Sequence, residues 1–186
     1  MAASPPAPGP APRPAKAADA EALYERLKSL DIAFTTHRHD AVFTVEEARA
    51  LRGDLPGAHC KNLFLKDKKG ALYLVVCLED RRIDMKALSK LLGTARLSFG
   101  KPELLVERLG VEPGSVTPFA VINDVVEDDA AVSVVLDEDM MLAPMVNYHP
   151  LINTATVARA PTDVTRFLEA CRHTPLIIDL APATRP

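Results

Sequence analysis

The run Leu72–Leu78 (LYLVVCL) is continuously apolar or aromatic, and a shorter apolar run, Leu63–Leu65, stands before it across the polar string Asp67-Lys-Lys-Gly70. Two short apolar runs around a glycine-containing turn predict a β-hairpin with strands over Leu63–Lys66 and Leu72–Leu78. Upstream, Leu23, Leu27 and Leu30 recur at helical spacing and predict a first helix from Ala18 to Leu30, then an extended segment over Ile32–Thr36. Thr44-Val-Glu-Glu47 has the form of a capping box, in which hydroxyl and carboxylate satisfy each other's backbone donors. It predicts a helix of about two turns that Gly53 can end. Asp84 caps a predicted helix carrying Leu88, Leu91 and Leu92 and stopped by Gly93, and Pro102 opens another, stopped by Gly110.

The second half is richer in strands. Phe119–Ile122, Val132–Leu136 and Thr154–Ala158 are short, β-branched or apolar, and separated by turn residues. Thr162 is placed to cap a last helix with Val164, Phe167, Leu168 and Cys171 on one face. Strands joined by hairpins as well as helices predict an α/β (α+β) domain: a mixed, largely antiparallel sheet with helices packed on it. The ordered domain is expected over residues 18–178, between a disordered Pro/Ala-rich tail (1–17) and a flexible tail (179–186).

Composition narrows the function classes. A chain of 186 residues with a formal net charge of −3 suits one domain and does not hold nucleic acid by bulk charge. A contact confined to a local basic face stays open. No apolar stretch is long enough to span a bilayer, and the Pro-broken start lacks the apolar core of a secretory signal, so a cytoplasmic protein is expected. Cys60, Cys77 and Cys171 are odd in number and lack Cys-x-x-Cys spacing, which argues against disulfide or structural zinc. His37 and His39 could share a strand face, but no third and fourth ligand complete a metal set. Asp128, Asp129, Asp137, Glu138 and Asp139 read as a solvated acidic surface.

Three strings interrupt the apolar pattern with residues suited to chemistry: CKNLFLKD from Cys60, GSVTPF from Gly114 and HPLINTAT from His149. Lys61 heads a buried strand, where an ammonium needs a partner or a cleft; at a strand edge it would instead snorkel to solvent. Asn62 beside it is either a polar strand end or a hydrogen-bonding group for a ligand. Gly114-Ser-Val-Thr-Pro118 is either a plain turn or a loop whose glycine lets backbone groups approach a ligand. Ser115 has no Gly-x-Ser-x-Gly elbow around it, which argues against a covalent mechanism. His149-Pro150 is either a packing element or a ligand contact. Cys60 adjoins Lys61, so strand alternation turns its thiol away from whichever face the lysine serves.

Taken together, the order and spacing of these strings resemble the YbaK-like family of prolyl-tRNA synthetase editing domains, over roughly Leu23–Leu168. CKNLFLKDKKG, RLSFGKPELL, GVEPGSVTPFAVIND and HPLINTATV resemble the stand-alone alanyl-tRNA(Pro) deacylase branch more than the cysteinyl-tRNA(Pro) branch. One departure is Tyr148, where phenylalanine is common before His-Pro; its hydroxyl is expected near the pocket. The resemblance implies the family's compact fold around a central β-sheet and hydrolysis of a wrongly attached amino acid from tRNA(Pro). It implies Lys61 as the signature active-site residue, His149 in the amino-acid pocket, and Asn62, Gly114, Ser115 and Asn153 as substrate contacts. It also implies assistance by the terminal ribose hydroxyl; no cofactor is expected.

The expected partner is the acceptor end of tRNA(Pro), with prolyl-tRNA synthetase as a second, and a monomer is expected. Val45 and Ala48, on the capped helix before Lys61, are candidate pocket walls for a sieve that holds alanine and excludes proline. The alternatives are cysteinyl- or seryl-tRNA deacylation, or a non-catalytic module that binds charged tRNA or an amino acid.

Overall fold

A computed structural model describes residues 17–40, 55–124 and 132–185. The capping-box helix, Val45 and Ala48 fall outside these residues, as does nearly all of the N-terminal tail. Asp19 caps α1 (Ala20–Ser29) by accepting from the Ala22 amide, and α1 buries Leu23 and Leu27. β1 (Thr35–Arg38) follows, then the hairpin β2 (Ala58–Asp67) and β3 (Leu72–Leu78). Its turn is closed by the buried Asp67, whose carboxylate accepts from the Lys69 and Ala71 amides. β2 begins five residues before the predicted strand, because its polar first half is paired on both sides, to β3 and to β6 (Val146–Tyr148).

Asp84 caps α2 (Met85–Leu91), as its sequence predicts, and β4 (Leu97–Phe99) returns along β2. Pro102 opens α3 (Pro102–Leu109), and Gly110 ends it with φ +68°, a conformation that disfavours any side chain. Phe119–Ile122 is not a strand. Thr117 accepts from the Phe119 amide and Pro118 fixes the next φ, so Pro118–Asn123 winds into a 3-10 turn. Its apolar residues are buried all round, which a sequence window reads as strand. Then come β5 (Val132–Asp137), α4 (Glu138–Met141), β6, β7 (Ala155–Arg159), α5 (Pro161–Ala170) and β8 (Leu176–Ile178). α5 starts one residue before the predicted cap: Ala160 is the N-cap and Pro161 the first helical residue, so Thr162 lies inside.

The strands form one sheet in the order β1-β7-β6-β2-β3-β5-β8, with β4 also on β2. Four pairings are antiparallel (β1–β7, β7–β6, β2–β3, β2–β4) and three parallel (β6–β2, β3–β5, β5–β8), a mixed and mostly antiparallel sheet. Its two faces bury different cores. On one, Val76, Val134, Val146, Tyr148 and Val157 pack against α1, α3, α5 and the 3-10 turn, where Phe119 meets Phe167 edge to face at 5.1 Å. Each such buried side chain contributes ~1.5–3 kcal/mol relative to exposure.

On the other face, Leu65, Val75, Cys77 and Val135 pack against Leu88 of α2 and against Leu180 and Ala183 at the C-terminus. The end of the chain, expected to be a flexible tail, is therefore tied down. Leu180 and Ala183 are wholly buried, Asp84 N donates to Ala183 O, and Arg185 N donates to Arg82 O. Among the described residues no helix is long and apolar enough to cross a membrane.

Candidate active site

Strand alternation sorts the candidate residues between the two faces. Cys60, Asn62 and Phe64 of β2 point to the main core with their partners Leu78, Val76 and Leu74; Lys61 points to the opposite face with its partner Cys77. The parallel register of β2 with β6, Ala58 to Val146 and His59 to Asn147, carries His149 to the level of Lys61. The same continuation of β6 on β7 sets His149 beside Thr156, which pairs with His37 of β1. At the other end, the β3–β5 register brings Cys77 beside Asp137. One transverse row on one face thus runs His37, Thr156, His149, Lys61, Cys77, Asp137. The two residues from distant strings share this row because a parallel pairing joins β2 to β6.

The ammonium of Lys61 donates to the backbone carbonyl of Arg81, just past the end of β3. Arg81 turns its guanidinium to the row: Nε lies 2.8 Å from Asp137 Oδ2, and Nη2 pairs with Asp139. Burial pushes the Asp137 carboxyl up, with the Arg81 charge opposing it. Asp137 is wholly buried in this ion pair rather than part of a solvated acidic surface. An open cleft of about 750 Å³ adjoins the Lys61–Arg81 contact, lined by Ala58, His59, Glu79, Asp80, Arg81 and Thr184.

His149 Nδ1 lies 3.0 Å from the carbonyl oxygen of Ala155. A carbonyl only accepts, so Nδ1 carries the proton and Nε2 keeps a lone pair. Burial pushes the His149 pKa down, the Ala155 hydrogen bond opposes this, and the nearby His39 adds to the depression. The imidazole is therefore a neutral acceptor at its Nε2. His39 meets its ring edge-on with centroids 6.2 Å apart. His39 Nδ1 donates to Asp40 O at 2.8 Å, which leaves Nε2 to accept from Thr156 Oγ1 at 3.0 Å. With both nitrogens engaged, His39 supports the site rather than offering itself to a metal. The sequence points to His39 only as half of a histidine pair; its link to His149 depends on the β1–β7–β6 pairing.

On the core face, Asn62 Nδ2 donates to Val116 O at 2.9 Å, tying the Gly114 loop to β2. Gly114 has φ +92°, a left-handed conformation that its lack of a side chain permits. Ser115 is buried and its amide donates to Glu112 O. Asn153 is half-buried in the turn between β6 and β7, beside Leu151, which has φ +67°. Asn62 and the loop are thus brought together, while Lys61 and His149 lie on the other face of the strand. Tyr148 corrects an expectation: its hydroxyl is buried in the main core, 3.0 Å from Met140 Sδ, and does not reach the face of His149. Burial pushes the Cys60 thiol up to about 12, so it is not a thiolate at neutral pH.

Comparison with known proteins adds to this geometry. The profile of the aminoacyl-tRNA editing domain matches residues 39–167. The chain belongs to the aminoacyl-tRNA editing domain family. This editing domain is 40% identical over 158 residues to the prolyl-tRNA synthetase associated domain-containing protein 1 of Danio rerio, covering 84% of each chain. It is 36% identical over 161 residues to the prolyl-tRNA editing protein ProX of Acetoanaerobium sticklandii, covering 86% of this chain and 96% of that protein. A solved structure described as a candidate trans-editing enzyme for prolyl tRNA synthetase superposes with a TM-score of 0.64 at 22% identity, covering 86% of this chain and 94% of that one, which supports the fold.

Proposed function

We propose that this editing domain is a deacylase that hydrolyses the ester of alanine wrongly attached to tRNA(Pro). The observation that carries the reading is the shared row of Lys61 and His149 in a chain of this family, next to an open cleft. An aminoacyl ester is already activated, so positioning water and stabilising the oxyanion suffice. Water adds to the ester carbonyl carbon, and the Lys61 ammonium stabilises the charge that develops on its oxygen. The neutral Nε2 of His149 accepts a hydrogen bond from that water or from the substrate. The bond from the carbonyl carbon to the ribose oxygen then breaks, the ribose oxygen takes the proton, and alanine and tRNA leave. A hydroxyl of the terminal ribose assists in orienting the water.

Asn62 ties the Gly114–Ser115 loop to β2, the strand that carries Lys61, and Asn153 lies at the His149 end of the pocket. Val45 and Ala48, which lie outside the described residues, are the sequence's candidates for the wall that would exclude proline. Exclusion by size discriminates by about 10–200-fold per methylene, enough for a second sieve but not for absolute choice. The test is a panel of aminoacyl-tRNAs: alanine, cysteine, serine and proline on tRNA(Pro). Fast release of alanine with proline left intact is expected. Release of proline as fast as alanine overturns the reading, and preferential release of cysteine or serine overturns its choice of substrate.

A further inference from the structure

The turn Glu79–Arg82, between β3 and α2, is tied to its neighbours on several sides. Glu79 N donates to His59 O at 2.9 Å, and Arg81 N donates to Leu78 O at 3.1 Å. From the C-terminus, Arg185 N donates to Arg82 O at 2.8 Å. From β5, Asp137 Oδ2 accepts from the Leu78 amide at 3.4 Å and lies 2.8 Å from Arg81 Nε. One carboxylate therefore joins both the last residue of β3 and the turn after it to β5. It does so one position beyond the last paired residues of the two strands, Val76 and Leu136. Asp137 is wholly buried and the Arg81 side chain nearly so.

A buried ion pair is a weak source of stability, because an apolar pair of similar size often serves as well or better. Its effect on the candidate site is more specific. The backbone carbonyl of the same Arg81 accepts from the Lys61 ammonium. An ammonium on a flexible four-carbon stem has three N–H donors and no fixed geometry of its own. One donor given to a fixed carbonyl holds the head group and leaves two for a ligand. Charge balance acts in the same direction. Burial pushes the Cys77 thiol up to about 11, with Lys61 opposing, Asp137 adding and Arg81 opposing, so all three charges converge on this one side chain. Without the Asp137 carboxylate, the Arg81 guanidinium repels the Lys61 ammonium from the carbonyl that the same residue presents.

We propose that Asp137 is a positioning residue for Lys61: through its ion pair with Arg81 it fixes the carbonyl that holds the ammonium at the cleft. The inference rests on the deacylase reading for the reaction it serves, and its test separates the two. Single-turnover hydrolysis of alanyl-tRNA(Pro) is measured for the parent, Asp137→Asn, Lys61→Ala and Lys61→Ala/Asp137→Asn, beside thermal melts. Asparagine keeps the shape and an acceptor for the Leu78 amide and loses the charge. Asp137→Asn is expected to lower the maximal rate about 10–100-fold with the half-saturating protein concentration nearly unchanged, the mark of an interaction made in the transition state. In the Lys61→Ala protein the same substitution is expected to cost nothing further, because residues that act through one group are not additive. A residue that merely held the fold would lower the rate in both.

A second readout needs no hydrolysis. Acetylation of Lys61 by a low dose of acetic anhydride is followed by peptide mass spectrometry, with the exposed Lys28 of α1 as reference. Lys61 is expected to react several-fold faster in Asp137→Asn than in the parent, with Lys28 unchanged. If Asp137→Asn does not melt cooperatively, Asp137→Asn/Arg81→Met takes its place, since it removes both charges and leaves neither buried alone. Parental labelling of Lys61 in the folded variant overturns the proposal, as does a parental rate or a loss that persists in the Lys61→Ala protein. Faster labelling of Lys61 in a protein that hydrolyses no aminoacyl-tRNA sustains the clamp and removes the deacylase reading.

Discussion

Asn62 Nδ2 donates to the backbone carbonyl of Val116 at 2.9 Å, across 54 positions of chain. This bond fixes the Gly114 loop to the strand that also carries Lys61, so the two signature strings are held as one unit. Asn62→Ala leaves that carbonyl without its donor and is expected to cost about 1–2 kcal/mol of stability. Because the same strand carries Lys61, a loss of catalytic efficiency is expected as well. Single-turnover hydrolysis beside denaturant unfolding checks both; full activity with full stability would show that the loop holds its place without this bond.

Lys61→Ala is expected to remove most hydrolysis, about 10²–10³-fold if the ammonium is the main oxyanion donor. The fold should persist, because the donor bond it gives up goes to a carbonyl that Arg81 can present to water. Single-turnover rates and a thermal melt decide the point. Near-parental rates in a folded variant would take Lys61 out of the mechanism.

Much of the fold is legible in the sequence where the signal is local. Asp84 as a cap, Pro102 and Gly110 as the start and stop of α3, and the Asp67–Gly70 turn all act within a few residues of themselves. The three-residue strands β4, β6 and β8 are not legible, because each is made by its partner and has no period of its own. The residues of the candidate site were equally readable as motifs, but their arrangement was not. His149 reaches the level of Lys61 only through the parallel β2–β6 pairing. Arg81 and His39 gain their relation to those residues through that long-range topology, which no window of sequence contains.

Cys60→Ser should keep both activity and pH profile. The thiol points to the main core and burial holds its pKa near about 12, so no thiolate is available to attack an ester. Hydrolysis by Cys60→Ser, with thiol alkylation of the parent protein in parallel, checks this. A folded serine variant without activity would restore a thiol mechanism.

His149 makes stability depend on pH with a definite sign. Its folded pKa lies below the ordinary value of 6.5 because burial disfavours the imidazolium. The unfolded chain then binds the proton more readily, so stability rises with pH in this window. The contribution is fully present above pH 6.5 and is lost as pH falls through the depressed folded value. Replacement by Gln should flatten that part of the stability–pH curve, measured by urea unfolding between pH 5 and 8. Activity should fall over the same window in the parent protein as the Nε2 acceptor is lost to a proton. An unchanged slope in the His149→Gln protein would assign the pH dependence to other groups.

Arg159 gives the last prediction. Its guanidinium is 3% exposed on the core face of β7, and among the described residues none of its nitrogens has a hydrogen-bond partner. Burial pushes its pKa down, while Asp163 and Tyr148 oppose the shift. The Phe119 ring, 5.3 Å below the guanidinium carbon, offers a cation–π contact worth about 0.5–2 kcal/mol. Burying a cation without hydrogen bonds costs several kcal/mol, so the ring does not offset the cost. Arg159→Met keeps the length of the stem and removes the charge, and is expected to leave stability unchanged or raise it by about 1–4 kcal/mol. Arg159→Lys keeps a cation but loses the flat stack on Phe119 and should be destabilised. Urea unfolding of the two variants decides between the alternatives, since a methionine protein markedly less stable than the parent would mean that the guanidinium has a partner that holds the strand in place.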